Sequence, residues 1–242
     1  MKTVVIIQAR MGSSRLPGKV LADIAGQPML AHVVNRVRQA NVVDDVIVAT
    51  STESKDDALD ELCRERGWSC FRGDHLDVLD RYYQAAAAFD ADVIVRITAD
   101  CPLIDPELIN LVASKVIEAN GAVDYCANVL PPRTFPRGLD AEAFTRSTLI
   151  RCWTEATDSS CREHVTPYVY RNPDKFRMAS CINETDASEH RWTVDTPEDL
   201  QLIRTIFNHF GTQEFRWRDV IAAFRKHPEW PKINEHVQQK AA

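Results

Sequence analysis

Apolar residues recur along the chain in two alternating periods. The run Thr3-Val-Val-Ile-Ile-Gln8 is short, rich in β-branched residues and bounded by a polar loop, which predicts a central strand covered on both faces. From Pro28 onward, Leu30, Val33, Val34 and Val37 repeat at three- and four-residue spacing, as in a helix with one apolar stripe and proline near its first turn. The alternation continues with a strand over 46–50, a helix over 56–66 stopped by Gly67, a strand over 69–71 and a helix over 76–89. A strand over 93–97, a helix over 106–119 opened by Pro106 and a strand over 122–127 follow. Parallel neighbours need helical crossovers, so this order predicts an α/β fold, a doubly wound, mostly parallel sheet with helices on both faces. Ligands of such sheets lie beyond the carboxyl ends of the strands.

The pattern loosens over 128–138, where three prolines exclude a helix or a central strand and leave an active-site loop as the reading. Beyond it, helices are predicted over 147–156 and 161–170, strands over 176–182 and 190–194, and a helix over 197–210 with Leu200, Ile203 and Phe207 inward. Phe215, Trp217, Val220, Ile221 and Phe224 then form a stripe suited to packing against the body or a partner subunit.

Composition narrows the function. With 242 residues, 45% of them hydrophobic, the chain supports one sizeable core rather than two. Lys and Arg number 29 against 35 Asp and Glu, a net charge of −6, so the cationic excess needed for nucleic-acid binding is lacking. No run approaches the roughly 20 apolar residues of a membrane span, and Thr3 to Ile7 is too short for a signal-peptide core, so no membrane association and a cytoplasmic location are expected. The seven cysteines include no C-x-x-C pair and read as reduced, buried small hydrophobes. The seven histidines show no spacing suited to a transition metal.

The chemistry concentrates in Gln8-Ala-Arg-Met-Gly-Ser-Ser-Arg-Leu-Pro-Gly-Lys19, directly after the first strand. A turn containing Gly12, Ser13 and Ser14 at a strand's carboxyl end offers backbone N–H groups to phosphate oxygens, and Arg10, Arg15 and Lys19 add three cationic heads. It is not a Walker loop, because Gly12 and Gly18 are separated by five residues and Val20 stands where a magnesium-binding Ser or Thr would be. A metal therefore has to be held elsewhere. Asp100 follows a buried strand at its carboxyl end, and Asp195 ends the run Arg191-Trp-Thr-Val194, although an Asp before Thr-Pro is also a good helix cap.

On the acceptor side, Arg133 and Arg137 flank the proline-rich loop, and Arg162, Glu163, His164 and Arg191 are further candidates for meeting a carboxylate or phosphate. Asp140 and Glu142 alternate, so an extended segment would turn both to one side, toward sugar hydroxyls. His164 is also a candidate base.

These residues resemble a known family, the CTP-dependent cytidylyltransferases that activate acidic sugars, including the ketodeoxyoctonate and acylneuraminate enzymes, and especially the subgroup of spore-coat polysaccharide biosynthesis protein F. The resemblance rests on the 8–19 segment with Thr98-Ala-Asp-Cys-Pro-Leu103, Gly138-Leu-Asp-Ala-Glu142, Arg162-Glu-His-Val-Thr-Pro-Tyr168, Thr193-Val-Asp-Thr-Pro-Glu-Asp199 and Ile233-Asn-Glu-His236. It implies a nucleotide-diphospho-sugar transferase-like fold with a small acceptor or dimerisation arm. It further implies that Gln8, Ala9, Arg10, Gly12, Ser13, Ser14, Arg15 and Lys19 bind the nucleotide, with backbone near Ala9 and Arg10 at the base. Arg15, Lys19, Asp100 and Asp195 would be catalytic, the two aspartates holding Mg²⁺. One domain over 1–242 is then expected: a nucleotide-binding half (1–127), an acceptor-binding or dimerisation insertion (128–190), and a closing part (191–242) with the second metal ligand and a helical tail. The implied reaction is CMP transfer from CTP to a keto-sugar acid or a sugar or polyol phosphate, in a homodimer serving cell-surface polysaccharide synthesis. The alternatives are a nucleotide-sugar-dependent glycosyltransferase of the same fold, whose Asp-x-Asp motif is not found after a central strand here, and a catalytically silent nucleotide-binding module.

Overall fold

The computed structural model describes residues 1–239. Strand β1 (Thr3–Gln8) runs into a loop that closes on a small hairpin, β2 (Asp23–Ile24) and β3 (Gln27–Pro28), ahead of α1 (Met29–Val37). Then follow β4 (Asp45–Ser51), α2 (Asp57–Arg66), β5 (Ser69–Gly73), α3 (Val78–Ala88), β6 (Val93–Thr98) and α4 (Pro106–Glu118). The middle of the chain supplies β7 (Tyr125–Ala127), β8 (Glu142–Thr145), α5 (Arg146–Glu155), α6 (Ser159–His164), α7 (Pro167–Tyr170) and β9 (Met178–Ser180). Helices α8 (Pro197–Phe210) and α9 (Trp217–Lys226) come last.

Seven strands form one sheet in the order β5-β4-β1-β6-β8-β7-β9. Every neighbouring pair is parallel except the two that involve β8. Residues 128–190, expected as an insertion, supply β8 and β9 to the sheet itself.

Alternation along the central strands divides the interior in two. Val5 and Ile7 of β1 join Val95 and Ile97 of β6 in a core closed by α1, α4, α8 and α9. Val4, Ile6 and Ile94 point the other way, toward α3 and the short helices α5 to α7. The tail stripe packs on the body: Phe215, Trp217, Val220 and Phe224 are buried in the first core, and Asp105 accepts the Trp217 amide at 2.7 Å. Arg36, fully buried beside Asp105, donates to the carbonyls of Ile104 and Phe215 and fastens the same junction.

Four elements differ from the sequence expectation. The helix expected over 161–170 is two helices, because Val165 takes a positive φ of 72° and Pro167 opens a new turn. A β-branched residue is strained in that conformation. Residues 190–194 are extended but form no sheet strand; a single bridge joins Arg191 to Arg137, and the Val194 amide donates to the Asp100 carbonyl at 2.8 Å. The strands expected over 122–127 and 176–182 shrink to the three residues each of β7 and β9.

Candidate active site

The loop after β1 is held by its own backbone and by one buried acid. The amides of Ser13 and Gly18 both donate to the Met11 carbonyl, at 3.0 and 3.1 Å, and the Met11 amide donates to Asp56 at 2.7 Å. Asp56 is buried and also accepts the Ser51 hydroxyl. Gly18 takes a φ of 70°, which favours glycine, and starts the tight turn that carries Lys19 inward. Among the described residues, the amides of Arg10, Gly12, Ser14 and Arg15 donate to no protein acceptor. They are donors available to phosphate oxygens.

Lys19 is buried, and its ammonium holds three oxygens: Asp100 Oδ2 at 2.9 Å, Asp195 Oδ1 at 2.9 Å and the Val194 carbonyl at 2.7 Å. Thr98 fixes the other oxygen of Asp100 at 2.6 Å. Arg15 and Arg191 bind the second oxygen of Asp195, at 2.9 and 2.8 Å. Behind them, fully buried Asp199 takes Arg191 at 3.0 and 3.1 Å, the Asp195 amide at 2.9 Å and Asn234 at 2.8 Å. Two aspartates 95 positions apart in sequence thus share one cation because the Asp100 backbone accepts Val194 and the Asp199 carboxylate anchors the turn at Asp195.

Burial pushes the Asp100 carboxyl up, but the Lys19 charge and the Thr98 and Lys19 hydrogen bonds outweigh it and leave it below the ordinary carboxylate value. Asp195 is raised by burial and lowered further by Lys19, Arg191 and Arg15. Burial lowers Lys19, and the two carboxylates raise it above the ordinary lysine value. The cluster is therefore fully charged at neutral pH. Its carboxylates contribute stability that is complete above about pH 4, the unfolded range, and is lost as pH falls through their lower folded values. Lys19→Met, which removes the cause of both depressions, is expected to move the acid unfolding midpoint upward; an unchanged midpoint in a circular-dichroism titration would contradict the coupling. Cys101 beside Asp100 is buried and pushed well above the ordinary thiol value, so it stays protonated and supplies no nucleophile.

Two clefts meet at this cluster. The first, about 430 Å³, is lined by Gln8, Arg10, Gly12, Ser13, Ser14, Arg15 and Lys19 with Asp100, Glu163 and Asp195. The second, about 480 Å³, shares Arg15, Thr98, Asp100 and Asp195 and adds Arg96, Arg137, Asp140 and His164. Ala9 lies beneath the first, its amide donating to the Ala49 carbonyl at 3.1 Å.

The acceptor candidates separate. Arg137, Asp140 and His164 face the second cleft, whereas Glu163, the residue before His164 in α6, faces the first. Arg133 stands behind Asp140 in a two-pronged pair at 2.7 and 3.0 Å. Glu142 is not a free partner for sugar hydroxyls: it is buried, with one oxygen on Arg96 and the other on the Tyr125 hydroxyl. Asp140 precedes the strand that begins at Glu142, so alternation does not bring the two together. Arg191 works through Asp195 and Asp199. Arg162 does not join the cluster: its guanidinium is held by Asp77, the cap of α3, and by the Trp153 carbonyl. Gly138 takes a φ of 96°, and a Cβ there would come within 2.4 Å of the Thr193 backbone, so only glycine lets the proline-rich loop close against 192–193.

A family model described as cytidylyltransferase matches residues 4–234. The chain belongs to the cytidylyltransferase family. A cytidylyltransferase from Leptospira borgpetersenii serovar Hardjo-bovis has the same structure with a TM-score of 0.92 at 35% identity, each chain covered fully. Spore coat polysaccharide biosynthesis protein SpsF of Bacillus subtilis is 32% identical over 93% of this chain and 94% of its own length. The 3-deoxy-manno-octulosonate cytidylyltransferase of Geobacter metallireducens is 36% identical, covering 84% of this chain and 96% of its own. This cytidylyltransferase is thus a nucleotidyltransferase by family, which sets aside the glycosyltransferase alternative. Among its described residues no helix is long and apolar enough to cross a membrane, and no three His, Cys, Asp or Glu residues gather as a metal site.

Sequence reasoning on this cytidylyltransferase missed Arg96, Thr98, Asp199 and Asn234. Arg96 had a signal, a charge inside the apolar run of β6, where only a paired or functional cation is tolerated. Asp199 reads from sequence as part of a helix capping box, which it is, and Asn234 lies in the Ile233-Asn-Glu-His236 segment of the resemblance with no role assigned to it.

Proposed function

We propose that the protein transfers CMP from CTP to an anionic, sugar-like acceptor, a keto-sugar acid or a sugar or polyol phosphate, with release of pyrophosphate. The observation that carries this reading is the position of Asp100 and Asp195, bridged by Lys19, on the wall that two clefts share. Such a reaction brings a triphosphate from one side and a nucleophile from the other. The unpaired amides of the β1 loop with Arg15 and Lys19 hold the triphosphate. Attack by an acceptor oxygen on the α-phosphorus forms one P–O bond and breaks the bond to the pyrophosphate. Lys19 and Arg15 neutralise the charge that gathers on the transferring and leaving oxygens.

Magnesium suits the donor set. Asp100 and Asp195 already turn one oxygen each to a common cation at 2.9 Å, and Mg²⁺ binds proteins through one or two carboxylates completed by substrate phosphates. Bound there, it would supply charge neutralisation at the reacting phosphate. Lys19 competes for the same oxygens until the triphosphate draws its ammonium away. The name of the Bacillus relative, a spore coat polysaccharide biosynthesis protein, supports a role in cell-surface polysaccharide synthesis.

The test is pyrophosphate release from each of the four nucleoside triphosphates with Mg²⁺, against a pool of keto-sugar acids, sugar phosphates and polyol phosphates. Release with CTP that requires an acceptor and is lost on chelation supports the reading. Release that is independent of any acceptor overturns it.

A further inference from the structure

Arg96 is a cation in the second cleft that the nucleotide loop and the aspartate pair do not explain. It lies in central strand β6, directly across from Glu142 of β8, with its side chain only 15% exposed. A charge so placed needs a partner, and Glu142 supplies one oxygen to Nη1. The two-pronged arrangement, with both carboxylate oxygens on one guanidinium, is the one Arg133 and Asp140 adopt. Glu142 instead gives its second oxygen to the Tyr125 hydroxyl at 2.6 Å. Among the described residues Arg96 Nε is buried without a partner, and Arg96 lines the second cleft. A buried donor without a partner calls for an explanation, and a functional role is one. Arg137, on the same cleft, meets no carboxylate among the described residues.

We propose that Arg96, oriented by Glu142 and Tyr125 and assisted by Arg137, reads the anionic group of the acceptor and sets acceptor specificity. The assignment rests on the CMP-transfer reading above. The anion is a carboxylate or a phosphate, because both match a planar guanidinium fork. Tyr125 and Glu142 are positioning residues: they touch Arg96 or its partner, not the acceptor.

The experiment compares each acceptor with its neutral counterpart, a keto-sugar acid with its methyl ester and a sugar phosphate with the free sugar. The pair that the wild type discriminates names the anion. Arg96→Lys keeps the charge and removes the fork; it is expected to raise the acceptor KM about tenfold or more and to narrow the anionic-to-neutral preference equally, while the KM for CTP stays within about twofold. Tyr125→Phe preserves volume and is expected to raise the acceptor KM about fivefold, as for one lost hydrogen bond, and it keeps the test intact if Arg96→Lys does not fold. Unchanged acceptor KM and preference in the folded variants, with only a lower melting temperature, would overturn the assignment. Equal use of neutral and anionic acceptors by the wild type would also overturn it. A wild type without acceptor-dependent release removes the CMP-transfer reading and this assignment together; an active, discriminating wild type with unchanged variants removes this assignment alone.

Discussion

Lys19→Met is expected to lower turnover about a hundredfold to a thousandfold, the effect of removing one preorganised electrostatic contact from a reacting centre. Three observations support the size. The ammonium is buried, it bridges the two aspartates at 2.9 Å each, and it lines the first cleft while those aspartates line both. Its removal takes away the cation between Asp100 and Asp195, while Arg15 and Arg191 still hold the second oxygen of Asp195, and Mg²⁺ then meets no competitor for the two facing oxygens. The measurement is steady-state pyrophosphate release at two or more Mg²⁺ concentrations. Near-normal turnover at ordinary Mg²⁺ would remove Lys19 from the mechanism.

Asp199→Ala is expected to destabilise the protein by about 3–5 kcal/mol, the usual effect of stripping one partner from a buried ion pair. At this chain length that corresponds to a melting temperature lower by about 10 °C. Asp199 is fully buried and holds together Arg191, Asn234, and the amides of Asp195 and Thr196. Its loss frees Arg191 and the turn that aims Asp195, so activity falls with stability. Asp199→Asn keeps the volume and one acceptor oxygen and should lose less on both counts. Thermal unfolding followed by circular dichroism checks the order; a shift under about 2 °C for Asp199→Ala would show that Arg191 and the Asp195 turn stand without it.

The half of the chain that alternates strand and helix was legible because each element is long enough to show its period. Helix α8 was read to the residue, since Thr196, Pro197 and Gly211 punctuate both ends. Where tertiary contacts override local pattern, legibility ends. The 161–170 segment has helical periodicity, yet Val165 breaks it with a positive φ; just before the break, Glu163 and His164 line different clefts. Residues 190–194 look like a strand because Trp192, Thr193 and Val194 are strand formers; their partners are the Arg137 and Asp100 backbones rather than a sheet neighbour.

The site divides in the same way. The phosphate loop was readable because glycine, serine and cations follow a strand end, a local arrangement. Asp100 and Asp195 were separately plausible, but that one ammonium joins them is a fact of three dimensions. Arginine roles were least legible. Arg162, Arg191, Arg96 and Arg137 have the same side chain, and only their partners distinguish a helix tie, an aspartate clamp, a cleft wall with an unpaired donor and a cation with no carboxylate partner among the described residues.

The account stands on nucleophilic attack at the α-phosphorus with transfer of CMP, and labelled CTP tests that most directly. With the label on the α-phosphate, it should appear in an acceptor-linked product, and with the label on the γ-phosphate, in pyrophosphate, both in Mg²⁺ and both abolished by Asp100→Asn. Label from the γ-position in the acceptor, or α-label released only as free CMP whatever acceptor is offered, would contradict it.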